Sequence, residues 1–478
     1  MSRLLPGVVN GLWLLTSLPE AFAFRRSLHR VRVTQEAVLL GIVRRNRESD
    51  FGRRHGFARM RTVDDFRAAV PLADYDAFAV AVAAIGRGEP EVLTAEPVRL
   101  LEPTSGSAAA SKLVPYTDSL QREFRRGIAP WICDLFLNVP SLLAGEAYWS
   151  VTPAAQREER SAGGLPIGFA DDSDYLGGLG RFFARAVQAV PPVVRKIGEM
   201  EAFWYASLLF LLRSRHLSLL SVWNPTYLTI LADRLAAGWE KLAADLAAGR
   251  FDPPAPVPPA VSAELARYLR PAPRRAEEVR QAFAAGGSRG EMHARIWPHL
   301  RLVSCWADGY AARYAGETAD LFPQSRLQGK GLIATEGIVS IPLLAQEGGC
   351  LALRSHFFEF LPAEGEAPLL AHELKAGGVY SVILTTGGGF YRYRLRDQVE
   401  VVGHAGECPC LRFLGKEEQV VDHFGEKLHE AHVRRALDAA AAACGIAPLF
   451  ALVAFEEQGT PAYSLFVEAA GVEDAALL

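Results

Sequence analysis

No stretch of this sequence stays apolar for the roughly 18 to 20 residues that a membrane-crossing helix requires. The N-terminal run MSRLLPGVVNGLWLLTSLPEAFAF comes closest, but Pro6, Gly11 and Pro19 interrupt it and Glu20 follows. YASLLFLLRS at 205–214 is too short. Both are expected to pack in a globular core, the alternative for the N-terminus being a peripheral membrane contact. Positive charge is not in excess either: a net charge of −3 argues against nucleic acid or an anionic membrane as the main partner, leaving small molecules. Cysteine is scarce. Of the six, only Cys408 and Cys410 lie close together, and His404 and His423 add no recognisable ligand spacing, so reduced thiols in a cytoplasmic protein are expected. There is no internal repeat of fixed period.

What is present suits a large globular chain of more than one domain: 478 residues, 50% hydrophobic and 22% charged. TQEAVLLGIVRRNR, from Thr34, has helical apolar spacing. So does YLTILADRLAAGWEKLAADLAAG at 227–249, which Gly249 should stop. The Pro-rich 251–262 reads as a connection inside one domain, because the apolar pattern resumes at Leu265. After about residue 300, short β-type runs such as LRLVSCW, VYSVILTT and QVEVVGHA alternate with Gly-rich turns. From about 410 to 425 onward a strand, a turn, a helix ending at Gly445 and two more strands suggest a small α+β unit. The fold class is therefore α/β, with a small α+β unit at the C-terminal end.

Three segments carry the candidate chemistry. Thr104 to Ser111 is a run of small residues followed by Lys112. Such residues cannot fill a core, so the run is either a flexible surface connection or a phosphate cradle of backbone N–H groups, hydroxyls and an ammonium. It is not a P-loop, because Leu113 follows the lysine and no glycine precedes it. In GLIATEGIVSIPL, Thr335 and Glu336 fall on a Gly-flanked turn where a carboxylate is placed to hold Mg²⁺, the alternative being a solvated loop glutamate. In GGGFYRYRLRDQVEVVG, Tyr391, Tyr393 and Leu395 alternate with Arg392, Arg394 and Arg396, giving a strand an aromatic and a basic face. Asp397 then stands where it can accept two ribose hydroxyl hydrogens. A surface hairpin with paired charges is the competing reading.

Taken in order, VLLGIVRRNRESDFGRRHGF, VPLADYDAF, TSGSAAASK, LSLLSVWNPTYL, ATEG, YRYRLRDQVEVVG and GEKLHE resemble the acyl-acid amido synthetases of the Gretchen Hagen three family, within the adenylate-forming ligases. The resemblance implies a large N-terminal adenylate-forming domain of mixed sheets and helices over 1–421, binding ATP and the acyl acid. It implies a small, mobile and shortened C-terminal domain over 422–478, with 51 residues following Lys427. The implied reaction joins a carboxylic acid to AMP, releases pyrophosphate and passes the acyl group to an amino acid or other amine. The sister alternatives are an acyl-CoA-type ligase and a catalytically degenerate nucleotide-binding protein.

Carried over by position, Thr104, Ser105, Gly106, Ser107 and Lys112 would meet ATP phosphates. Glu336 would hold Mg²⁺, Asp397 the ribose and Lys427 the α-phosphate, with Thr335 and Arg394 also on the nucleotide. Lys112, Glu336 and Lys427 are the expected catalytic set. His429 and Glu430 are the nearest candidates for a base in the transfer step. The chain departs from the family at Ala108–Ala110, at Leu332 in place of an adenine-facing tyrosine, and at Arg396 where relatives carry glycine. Trp131, Tyr148, Trp149, Trp204, Trp223 and Trp306 are candidates to line an acyl pocket.

Overall fold

The computed structural model describes residues 4–104, 112–150, 159–169, 177–363, 365, 367–417, 420–421, 428–446, 448–456 and 462–469. Two compact units divide the chain, Met1–Gly415 and Lys416–Leu478.

The first unit is organised around two large sheets with different burial. Glu146–Trp149, Leu217–Ser221, Leu302–Cys305 and Arg326–Gly329 form a parallel sheet in that order. Leu217–Ser221 and Leu302–Cys305 are buried at every position. Burial on both faces explains why they appear in sequence as short continuous apolar runs rather than alternating ones. The other sheet has seven strands in the order Ser340–Pro342, Gly349–Leu351, Cys408–Lys416, Tyr393–Ala405, Val379–Thr385, Phe357–Pro362 and Leu369–Leu370. Its assigned pairings are antiparallel. Leu220, Val303 and Cys305 of the parallel sheet pack with Leu208, Leu235 and Trp297, whereas Leu219 and Leu302 on its other face share a core with Phe358, Val382 and Val399 of the seven-stranded sheet and with Phe66, Phe78 and Phe124.

Helices close these cores where the apolar spacing calls for them. The N-terminal run is one helix, Leu4–Ser27, despite its prolines. Pro6 falls in the first turn, where the N–H would have no helical acceptor anyway, and Pro19 lies within the helix. Asn10 fixes this helix to the fold through its amide, which donates to the carbonyls of Leu142, Leu143 and Gly145. Tyr205 to Leu212 are buried inside the helix Met200–Arg213, as a core segment should be. Among the described residues no helix is long and apolar enough to cross a membrane.

The expected helix at 227–249 runs from Thr226 to Ala248, and Gly249 ends it in the left-handed conformation at φ +68°. A Cβ there would sit 2.3 Å from the Pro271 nitrogen and 2.5 Å from the Arg270 carbonyl carbon. The Pro-rich stretch then leads into Pro259–Ala266, whose Val261 and Leu265 join the same core, consistent with a connection inside one domain.

In the second unit, Val420–Val421 pairs with Leu428–His429, the helix Glu430–Cys444 follows, and Gly445 turns at φ +67°. Pro448–Glu456 and Ala462–Ala469 then form an antiparallel hairpin.

Gly249→Ala combines a left-handed non-glycine residue with a backbone clash. We expect a loss of about 2 to 4 kcal/mol in urea unfolding followed by circular dichroism.

Candidate active site

The small-residue run joins two paired strands. Leu100–Pro103 pairs with Leu113–Tyr116, and the Thr104 N–H donates to the Lys112 carbonyl at 2.8 Å, closing the loop at its base. Thr104 and Lys112 therefore stand on either side of the loop mouth. Ser105, Gly106 and Ser107 lie outside the described residues. Tyr75, at the start of the helix Tyr75–Gly86, braces the hairpin: its hydroxyl accepts from the Leu113 N–H at 2.8 Å. The Lys112 ammonium lies 5.7 Å from the centre of the Tyr75 ring.

Thr335 and Glu336 form the two-residue turn between Ile333–Ala334 and Gly337–Ile338, as their flanking glycine suggested. The solvated alternative for the glutamate does not hold, because Glu336 is only 8% exposed. Three side chains from different parts of the chain fix this turn. Tyr116, from the hairpin, donates to the Thr335 carbonyl at 3.0 Å. Tyr393, from the seven-stranded sheet, donates to Glu336 Oε1 at 3.2 Å. His356 Nε2 accepts the Ile338 N–H at 3.1 Å. With Nε2 accepting, the His356 proton sits on Nδ1 and is donated at 3.0 Å to Glu123, which also accepts the Gly387 N–H. Burial pushes the Tyr393 phenol well above its ordinary pKa, with Glu336 adding to the shift, so it remains a protonated donor.

The alternating segment departs from its simple two-faced reading. Tyr391, Tyr393 and Leu395 are buried, as expected, but Arg392 is buried too. It sits at φ +48° and makes a two-pronged contact with Glu359, at 2.8 and 2.9 Å, while donating to the carbonyls of Arg67 and Val70. Its charge is consumed by structure. Arg396 adopts φ +61°, the left-handed region that a glycine would occupy without strain, and pairs with Asp74 at 3.1 Å. Around it Ser381 faces Gln398 while Ile383 faces Arg394, so the Tyr393–Ala405 strand carries a bulge. Bulges of this kind re-aim side chains near functional sites. Asp397 lies within it, 3% exposed.

Asp74, which the sequence left without a role, links these parts. Arg396 holds its carboxyl below the ordinary carboxylate range, and Arg394 and Lys112 add further pull. Glu336 in turn raises the pKa of Tyr75, behind the larger effect of burial. The structure thus gathers Thr104, Lys112, Thr335, Glu336 and Arg394 around Tyr75 and Asp74, with Asp397 in the adjoining bulge. Lys427 lies outside the described residues. Asp74 and Tyr75 were within VPLADYDAF, where the one local signal was an aspartate ahead of a helix.

The proposed pocket aromatics separate. Tyr148 and Trp204 are core, both packed on Tyr227. Trp131, on the helix Asp118–Asn138, belongs to the other core with Trp149 packed against it, whereas Trp223 and Trp306 follow Leu217–Ser221 and Leu302–Cys305 and pack on each other.

These residues suit a magnesium nucleotide: Glu336 is a buried carboxylate oriented by Tyr393, and Lys112 and Arg394 both lie close enough to Asp74 to lower its pKa. Residues 22–327 match the GH3 family N-terminal domain, and residues 349–416 match the GH3 family central domain. The chain belongs to the GH3 family. Similar GH3 proteins include the indole-3-acetic acid-amido synthetase GH3.8 of Oryza sativa subsp. indica, 25% identical over 86% of this chain and 71% of that protein. GH3.3 of Arabidopsis thaliana, with the same activity in its name, is 23% identical over 87% and 72%. The fold matches the solved GH3.15 acyl acid amido synthetase with a TM-score of 0.77 at 20% identity, covering 95% of this chain and 81% of that one.

Arg392→Met should leave the fully buried Glu359 facing only Arg67, which lies 3.2 Å away, and cost about 3 to 5 kcal/mol in denaturant unfolding. Adding Glu359→Leu should recover most of that loss.

Proposed function

We propose that this GH3 protein activates a carboxylic acid with ATP, forming acyl-AMP and pyrophosphate, and then transfers the acyl group to an amino acid amine. The observation that carries the reading is a buried Glu336 held by Tyr393, with Lys112 over the Tyr75 ring beside the hairpin and the Arg394 backbone paired to Ala73. The names of its relatives, amido synthetases for indole-3-acetic acid, support the same reaction class.

Attack of a carboxylate on the α-phosphorus brings two anions together, so the barrier falls when fixed positive charge already surrounds the phosphates. In this reading Thr104, Ser105, Gly106, Ser107 and Lys112 hold the phosphates, with Thr335 and Arg394 beside the nucleotide. Asp397 accepts the ribose hydroxyl hydrogens. Glu336 holds Mg²⁺, which when bound neutralises phosphate charge. Tyr393 limits Glu336 to one orientation, and Asp74 orients Arg396. No general base is required, because a carboxylic acid is already ionised near neutral pH. The amine acceptor does need to lose a proton before it attacks the acyl carbon. His429 and Glu430 are the candidates for that step, and Lys427 meets the α-phosphate. Residues 1–421 then form the ATP and acid domain, and 422–478 the mobile domain.

ATP–pyrophosphate exchange with a panel of aromatic and aliphatic acids tests the first step. We expect acid-dependent exchange in the wild type and a loss of about 100-fold or more in Lys112→Ala, the size found on removing one charge-stabilising donor. Asp397→Ala should mainly raise the KM for ATP. Intact ATP binding with no exchange for any acid would overturn the adenylation reading in favour of a non-catalytic nucleotide-binding protein.

A further inference from the structure

Open α/β sheets bind ligands outside the carboxyl ends of their parallel strands. In this protein that edge of the parallel sheet carries a lysine set among indoles. Lys330 directly follows the strand Arg326–Gly329, and its side chain is folded inward, leaving the residue 7% exposed. Past the end of the intervening strand Leu302–Cys305, its ammonium donates at 2.7 Å to the hydroxyl of Ser221, the last residue of Leu217–Ser221. It also lies 5.1 Å from the centre of the Trp223 ring and 5.8 Å from that of Trp131.

The indoles extend in two directions from this point. Trp131 is held by its own N–H, donated to Gln328 at 3.0 Å, and packs edge-on against Trp149. The Trp149 indole N–H is buried and has no acceptor among the described residues. On the other side Trp223 packs against Trp306, which is 42% exposed, so the cluster reaches the surface.

The backbone joins this cluster to the site described above. Gly331, at φ +71°, turns the chain immediately after Lys330, and a Cβ there would meet the Ser340 carbonyl oxygen at 2.6 Å. That close approach leads straight into the Ile333–Ala334 strand, whose turn bears Thr335 and Glu336. A cation flanked by flat apolar walls matches a planar carboxylic acid: the indole faces take the hydrocarbon and the ammonium takes the carboxylate.

We propose that Lys330 receives the carboxylate of the acid substrate, between Trp131 and Trp223, and so delivers it toward the Glu336 turn. The assignment rests on the adenylation reading for its catalytic meaning, but the contact itself is measurable without turnover. An ammonium attracts a carboxylate and gives the corresponding amide no such advantage. Removal of the charge should therefore abolish the distinction between the two.

The test is calorimetric titration of the full-length protein with benzoate, phenylacetate and octanoate, each paired with its primary amide. At least one carboxylate should bind the wild type more tightly than its amide. Lys330→Met, which keeps the stem and removes the charge, should weaken that carboxylate tenfold or more, leave the amide within twofold, and leave ATP binding unchanged. Lys330→Arg should retain the preference, giving a second variant that preserves the buried charge. In pyrophosphate exchange, Lys330→Met should raise the KM for the acid and not that for ATP. An unchanged carboxylate preference in Lys330→Met, equal losses for acid and amide, or no carboxylate binding to the wild type would overturn the proposal. Lysine-dependent carboxylate binding without pyrophosphate exchange would uphold the contact and sink the adenylation reading.

Discussion

The candidate site depends on a charge that never reaches it. Glu359 is fully buried in the seven-stranded sheet, and a carboxylate in that position is tolerable only when matched by nearby cations and hydrogen bonds. Arg392 supplies two of those bonds, and Arg67, in the helix Val63–Ala69, adds a contact at 3.2 Å. The Arg392 guanidinium also donates to the Arg67 and Val70 carbonyls, fastening the chain just ahead of Asp74. Ala73 then pairs with the backbone on either side of Tyr393. One buried ion pair thus sets where the Tyr393–Ala405 strand begins and where the helix carrying Tyr75 begins. Tyr393, Arg394 and the bulge with Asp397 follow at distances the backbone dictates.

Much of this was legible in the sequence where local chemistry decides the outcome. The helix stop at Gly249 followed from the end of an apolar period and the conformational freedom of glycine. The Thr335–Glu336 turn followed from the adjoining glycine. What could not be read were the long-range choices. Arg392, Arg394 and Arg396 look alike in YRYRLRD, yet one is buried in a salt bridge, one is partly exposed beside the site, and one spans a bulge to Asp74. Their separate fates come from positive φ at Arg392 and Arg396, which destroys the two-residue alternation on which the reading depended. Glu123 and His356 stayed hidden for a related reason: 233 residues separate the two halves of that hydrogen bond.

The presentation of Glu336 shows what these long-range contacts achieve. A carboxylate on a two-residue turn would ordinarily sample several positions, and each would have to be frozen when a ligand bound, at a cost in affinity or rate. Here the turn is tied by Tyr116 from the hairpin sheet, by Tyr393 from the seven-stranded sheet, and by His356, which is itself oriented by Glu123 on the helix Asp118–Asn138. Each tie enters from a different element, so no single loop movement releases the turn. The ordering cost has been met during folding, which is the condition under which fixed charges and dipoles lower a barrier most effectively. The hairpin mouth with Lys112 is braced more lightly, through the Thr104–Lys112 backbone bond and the Tyr75 hydroxyl. A rigidly held carboxylate and a lightly braced lysine divide the work: the first fixes where a cation can sit, and the second can adjust to the anion that the cation brings with it.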